Sequence, residues 1–167
     1  MRGNMITLQT ANLKLVARTL DEVRAQIEAM SDEEKAQVSP QWLARISAGT
    51  EADAFWTFGF SIVHRGSETI VGKCGFTGPP TADQVVEIAY GIAPEHQGKG
   101  YATEAANALV EFAFSSGRVQ VVRAHTLPER NASTRVLTKC GLRNLGEVID
   151  PEDGVVWRWE KRNDGAK

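Results

Sequence analysis

The sequence predicts the α/β (α+β) class, a mixed sheet carrying helices, from three observations. Short segments rich in β-branched and aromatic residues, such as "VVEIAYGIA" and "VQVVRAHT", alternate with segments of helical periodicity. The order they predict is β-α-α-β-β-β-α-β-α-β-β, in which strands and helices bury one another. No repeat, low-complexity tract or Pro/Gly linker divides the 167 residues, so one domain over 1–167 is the simplest organisation.

"MITLQTANLKLVA" alternates loosely and predicts a first strand. "TLDEVRAQIEAM" predicts a helix with Thr19 as N-cap and a stripe of Leu20, Val23, Ile27 and Met30. "SPQWLARISAG" places Ser39 before Pro40 and ends at Gly49, the signature of a short helix. "AFWTFGFSIVHR" and "ETIVGKCGFTG", joined by Gly66-Ser67, predict a hairpin, and Val85 opens a third consecutive strand. A long Ala-rich helix runs to Ser116, with Gly117 after it. "VQVVRAHT" is a strand. "NASTRVLTKCG" is a helix capped by Asn131, with Ala132, Val136, Leu137 and Cys140 inward and Gly141 at its end. "LRNLGEVID" and "GVVWRWEKR" flank a Pro151-Glu-Asp-Gly turn.

Composition narrows the function. At 42% apolar and 24% charged residues the chain reads as a soluble globular protein. A net charge of −2 gives no global basic field for nucleic acid or an anionic membrane. No run approaches the roughly 18 apolar residues of a membrane span, and residues 1–10 lack the apolar core of a signal peptide. Cys74 and Cys140 stand alone, with no CxxC or His pair to bind a metal. A reduced cytoplasm is the expected setting.

The chemistry concentrates in "IAPEHQGKGYATEAANALVEFAF". A Gly-rich turn opening a helix presents unpaired N–H groups and a partial positive charge, which suits a phosphate. A Walker loop needs GxxxxGK[ST], but Gly100 follows Lys99 here. A Rossmann turn needs GxGxxG and an acidic residue after the next strand. Thr103 stands at the third glycine, and that strand ends in Arg123, Ala124 and His125.

Gln97-Gly98-Lys99-Gly100-Tyr101-Ala102 instead resembles the Gln/Arg-x-x-Gly-x-Gly/Ala pattern of the GNAT superfamily of acyl-CoA-dependent N-acetyltransferases. "RNASTRVLTKCGLRNLG" is similar to the Asn-x-x-Ser…Lys-x-Gly-Phe segment of the same superfamily, with Leu142 in place of the usual aromatic. The resemblance is to the RimJ/RimL-like branch and is strongest from Val85 to Leu145. It implies a GNAT-like, mostly antiparallel central sheet of about 6–7 strands with about 4 helices. It also implies acetyl-CoA as cosubstrate, its pyrophosphate held by the backbone of Gly98, Gly100, Tyr101, Ala102 and Thr103. Gln97 belongs to that loop, and Lys99 is at most a weak phosphate partner. The strand end from Tyr90 through Ile92, Ala93 and Pro94 would lie along the pantetheine, with Gly91 marking a splay. The Ile92 N–H would then face the thioester carbonyl, and Asn131 would reach the pantetheine.

Several residues carry two readings. Glu104, in the first turn of the long helix, complements the helix dipole or takes part in catalysis; the dipole role is favoured. Asn131 is an N-cap or a ligand contact. Ser133 is a surface serine or the acid that protonates the departing thiolate, a role the superfamily gives to a Tyr or Ser in this helix. Glu87 lies among Val85, Val86, Ile88 and Ala89, so its carboxylate needs a partner or a wet cavity. It relays the amine proton, or it pairs with Lys73 on the adjacent strand. Trp157 and Trp159 share a strand face and read as core or rim. His64, His96 and His125 show no triad partner, and no GxSxG is present.

The implied reaction is direct attack of a primary amine on the thioester in a ternary complex, with neither cysteine beside the thioester. An α-amine, near pKa 7.7–8.0, loses its proton more readily than a lysine at about 10.4. Protein N-termini and small-molecule amines both stay open as acceptors, as does a non-catalytic acyl-CoA-binding or sensing domain on the same fold. Homodimers are common in the superfamily, which leaves a homodimer open here.

Overall fold

The computed structural model describes residues 7–18, 20–36, 56, 59–151 and 154–163. Eight strands form one sheet: β1 (Thr7–Gln9), β2 (Leu13–Ala17), β3 (Phe60–His64), β4 (Thr69–Phe76), β5 (Val85–Ile92), β6 (Val121–Thr126), β7 (Arg143–Asp150) and β8 (Gly154–Arg162). Four α-helices are described: α1 (Leu20–Ala29), α2 (Asp32–Ala36), α3 (Tyr101–Ser115) and α4 (Ala132–Lys139). The spatial order is β1-β2-β3-β4-β5-β6-β8-β7. Every pairing is antiparallel except β5 with β6, which α3 connects. The expected class holds, and so does the expected order of elements from β3 onward.

The strand count differs from expectation at the N-terminus. The segment expected as one strand is a tight hairpin, β1 and β2. The Thr10 hydroxyl accepts from the Leu13 N–H at 3.0 Å, and the Thr10 N–H donates to the Leu13 carbonyl at 2.8 Å, so the chain reverses there. Thr19 and the helix expected at Ser39–Gly49 lie outside the described residues. The short helix α2 was not foreseen. Its signal is a capping box: the Ser31 hydroxyl accepts from the Glu34 N–H at 3.1 Å, and the Glu34 carboxylate accepts from the Ser31 N–H at 2.8 Å.

Helix α3 packs on the sheet through Ala105, Ala106, Leu109, Val110 and Ala113, all buried. Small residues in its first turns bring its backbone near β5, whose Val86 and Ile88 join the same core. Trp56, Phe60, Phe76 and Phe112 extend that core; the Trp56 and Phe76 rings lie 4.8 Å apart and tilted. Among the described residues no helix is long and apolar enough to cross a membrane.

Candidate active site

The site begins where two strands part. β5 and β6 pair at Val85↔Val121, Val86↔Val122 and Glu87↔Arg123, and then pairing ends. Beyond that vertex β5 keeps β4 on its other side, from Ile88 to Ile92, and β6 keeps β8. The splay therefore starts at Ile88, three residues before Gly91. Strand alternation decides which groups face the gap. The Ala93 N–H donates to the Val71 carbonyl, and the Glu87 carbonyl accepts from the Thr77 N–H, so odd-numbered residues bond toward β4. Ile88, Tyr90 and Ile92 then turn their backbone groups toward the gap. Gly91 has room for a Cβ, so its own side does not require glycine, whereas a Cβ on Gly72 would sit 2.2 Å from the Gly91 carbonyl oxygen. Glycine at 72 is what lets β4 and β5 approach there.

The gap leads to the N-terminus of α3. Gly98 and Gly100 have φ of +81° and +85°, the left-handed region that favours glycine, with open space where a Cβ would stand. Gly100 is the N-cap and brings no side chain to the helix end. Among the described residues, the N–H groups of Tyr101, Ala102 and Thr103 have no protein acceptor. The Gln97 side-chain amide donates to the Ile92 carbonyl at 2.9 Å, tying this loop to the end of β5. Lys99 is exposed. A Gly-rich turn with three unmet donors suits a phosphate.

Glu104, the carboxylate of that first turn, is directed elsewhere. It accepts from the Thr10 hydroxyl, the Asn12 backbone N–H at 2.8 Å and the Asn12 side-chain amide at 3.1 Å. Burial pushes its pKa up, but these hydrogen bonds outweigh that and leave it below the usual value of 4.5. Glu104 thus fastens the β1–β2 turn to α3 without competing with an anion at the helix end.

At the vertex, the Glu87 carboxylate lies 3.0 Å from His125 Nδ1, and the Arg158 Nε–H donates to His125 Nε2 at 3.1 Å. This corrects two expectations. Glu87 does not pair with Lys73, because Lys73 stands opposite Gly91 while the Glu87 carbonyl bonds Thr77, four residues farther along the chain and just past the end of β4. At roughly 3.3 Å per residue that offset is about 13 Å. His125, expected to show no triad partner, has a carboxylate beside it. Arg123, opposite Glu87 in register, is engaged by Glu160 at 2.6 Å. The legible signal was spacing: Arg123 and His125, like Arg158 and Glu160, are i,i+2 pairs on one face of their strands. On the opposite face the Trp159 indole N–H donates to the Thr126 hydroxyl at 3.1 Å and is buried, and Trp157 is half-buried.

Helix α4 borders the gap from the other side. Asn131 Oδ1 accepts from the Thr134 N–H at 3.0 Å, and the Thr134 hydroxyl accepts from the Asn131 N–H at 3.0 Å, a closed capping box. Ser133 is half-buried in the first turn. The Tyr90 hydroxyl donates to the Ser133 carbonyl at 3.4 Å, a contact the sequence did not suggest; burial pushes that phenol up to about 12. Burial likewise raises the Cys74 thiol to about 12. Cys140, expected at the remote end of its helix, comes back to α3: its Sγ donates to the Thr103 carbonyl at 3.6 Å. Burial raises its pKa, against the opposing influence of Lys161.

The family profile described as an acetyltransferase (GNAT) domain matches residues 8–143. An uncharacterized N-acetyltransferase, p20, from Bacillus licheniformis is 30% identical over 93 residues, covering 56% of this chain and 52% of that protein; the match thus spans about half the length of that relative. A GNAT-family acetyltransferase from Bacillus anthracis superposes with a TM-score of 0.67 at 20% identity, over 94% of this chain and 98% of that one. The ribosomal L7/L12 α-N-protein acetyltransferase RimL, in complex with coenzyme A, superposes with a TM-score of 0.71 at 14% identity, over 96% and 100%. At these identities the two structures speak to the fold alone. With the profile covering most of its length, the chain belongs to the GNAT acetyltransferase family, with RimJ/RimL-type proteins among its structural relatives.

Proposed function

We propose that this protein is an acetyl-CoA-dependent N-acetyltransferase that moves an acetyl group to a primary amine by direct attack in a ternary complex. The observation that carries this reading is the parting of β5 from β6 after Glu87, beside an α3 N-terminus with unmet donors. The gap offers an extended acyl-pantetheine the backbone groups of Ile88, Tyr90 and Ile92, and the helix end offers the pyrophosphate the amides of Gly98 to Thr103. Ala93, Pro94 and Gln97 shape the passage between them, and Lys99 adds an exposed cation. Asn131 has only its Nδ2 left for the pantetheine, since capping uses Oδ1.

Thioester chemistry asks little of the protein beyond alignment, oxyanion stabilisation and proton transfer. The Ile92 N–H donates to the developing oxyanion. Glu87, on the wet side of the vertex, accepts the amine proton directly or through water. Ser133, beside the gap, returns a proton to the thiolate. The buried cysteine thiols, both shifted away from thiolate, agree with direct attack. A protein N-terminal α-amine or a small-molecule amine is the acceptor; RimL, an α-N-protein acetyltransferase of the same fold, favours the first.

A thermal-shift titration with acetyl-CoA, against ATP and NAD, tests the binding site. Acetyl-CoA at about 100 times its Kd should add roughly 2.7 kcal/mol of stability. A screen of amines by thiol release then tests transfer. Glu87→Gln should lower kcat about 10²- to 10⁴-fold while keeping the acetyl-CoA shift, and Ser133→Ala should lower it less. No shift with acetyl-CoA, or an equal one with ATP, removes the assignment. Binding without transfer to any amine points to an acyl-CoA-binding domain.

A further inference from the structure

The group at the vertex of the splay is a chain of three side chains on three neighbouring strands. Glu87 comes from β5, His125 from β6 and Arg158 from β8. An arginine Nε can only donate, so His125 Nε2 accepts and is unprotonated. The ring proton then sits on Nδ1 and is donated to Glu87 Oε2. The arrangement of donor and acceptor determines the tautomer.

Burial is divided unevenly along the chain. The Glu87 side chain is 35% exposed, while His125 is 11% exposed. The wet end is the carboxylate, and the buried end is the ring that holds it. Its other oxygen, Oε1, has no protein partner among the described residues and stays available. The cation nearest in register, Arg123, is taken up by Glu160 through both Nε, at 2.7 Å, and Nη2, at 2.6 Å. Glu87 is therefore held by a single ring N–H and stays outside the bidentate arginine pair.

We infer that His125 is a positioning residue that aims the Glu87 carboxylate into the gap, and that Arg158 locks the ring in the tautomer this requires. The inference rests on the reading of Glu87 as the proton acceptor. It assigns the third strand of the vertex, β8, a part in the reaction.

The ¹⁵N spectrum of the histidine rings in the intact protein tests the tautomer, with His125 assigned by its loss in His125→Asn. The expected pattern is a protonated-type Nδ1 and an unprotonated-type Nε2. A proton on Nε2 overturns the inference. Turnover, measured as thiol release from acetyl-CoA with a tripeptide bearing a free α-amine, tests the consequence. His125→Ala should lower kcat about ten- to a hundredfold with the KM for acetyl-CoA unchanged. His125→Asn, whose amide N–H can replace Nδ1–H, should recover most of that loss and guards against misfolding of the alanine variant. Arg158→Met should fall between the wild type and His125→Ala. Full kcat in His125→Ala beside a dead Glu87→Gln overturns the positioning role alone. Full kcat in Glu87→Gln overturns the reading of Glu87 itself.

Discussion

The two helix N-termini beside the gap solve the same problem in opposite ways. α4 caps its end: Asn131 and Thr134 exchange hydrogen bonds, and the Thr134 N–H of the first turn is met by Asn131 Oδ1. α3 leaves its end open: a left-handed glycine precedes it, no side chain caps it, and its one first-turn carboxylate is drawn off to Thr10 and Asn12. A capped end is complete as structure, while an end stripped of caps is incomplete until something anionic arrives. Both helices begin near the same gap, yet only α4 has a side-chain cap. Asn131, which looked equally suited to ligand and cap, is mostly committed to the cap.

Breaking α3 should have the largest effect. Gly100→Val forces a β-branched residue to a φ of +85° and should cost about 1–3 kcal/mol. It should also abolish the acetyl-CoA-induced shift seen in thermal melts. A retained shift would separate binding from this helix end. Breaking α4 should do less to binding and act on stability: Asn131→Ala should cost about 1 kcal/mol by chemical denaturation. Its acetyl-CoA affinity, measured by calorimetry, should fall less than in Gly100→Val. An equal fall would mean that Nδ2 makes a ligand contact comparable with the helix amides.

The smallest effect sharpens the comparison through pH. Glu104 has a folded pKa below its ordinary 4.5, so its contribution to stability is full above that value and is lost as pH falls through the folded pKa. Glu104→Gln should therefore melt below the wild type at neutral pH, and the gap should close in acid. Melts of both proteins across that range check it, and a constant gap would show that the carboxylate charge is not what fastens the β1–β2 turn to α3.

The α3 turn was legible because its signal is local. Gly98, Gly100 and the apolar helix after them are contiguous, and left-handed φ angles write themselves as glycine. The capping box of α4 was half legible: Asn131 announced a cap, but only the Thr134 contact shows how much of it the cap consumes. Glu87 was singled out because a carboxylate in an apolar strand needs an explanation. Its partner was missed because the parallel pairing and its register, Glu87 against Arg123, join segments 36 positions apart with nothing local to announce them. Arg158 was missed for the same reason, one strand farther away. The β1–β2 reversal was overlooked because Ala11-Asn12 is a weak turn signal, and its strongest anchors come from Glu104, more than ninety residues on.

By itself the sequence determined the class, the order of elements from β3 onward, the family and the loop fitted to a phosphate. Class, order and loop follow from periodicity, glycine placement and capping residues within a few positions of one another, while the family came from the resemblance of Gln97–Ala102 and the Asn131 segment to its motifs. Only the tertiary structure decided where β5 and β6 part, which edge of β5 faces the gap, and that Glu87 answers to His125 and Arg158 rather than to Lys73. The physical reason is that register belongs to pairs of strands. A side chain's face is set by its own strand, but its partner is set by the alignment of two distant segments, which the packing of the whole sheet selects.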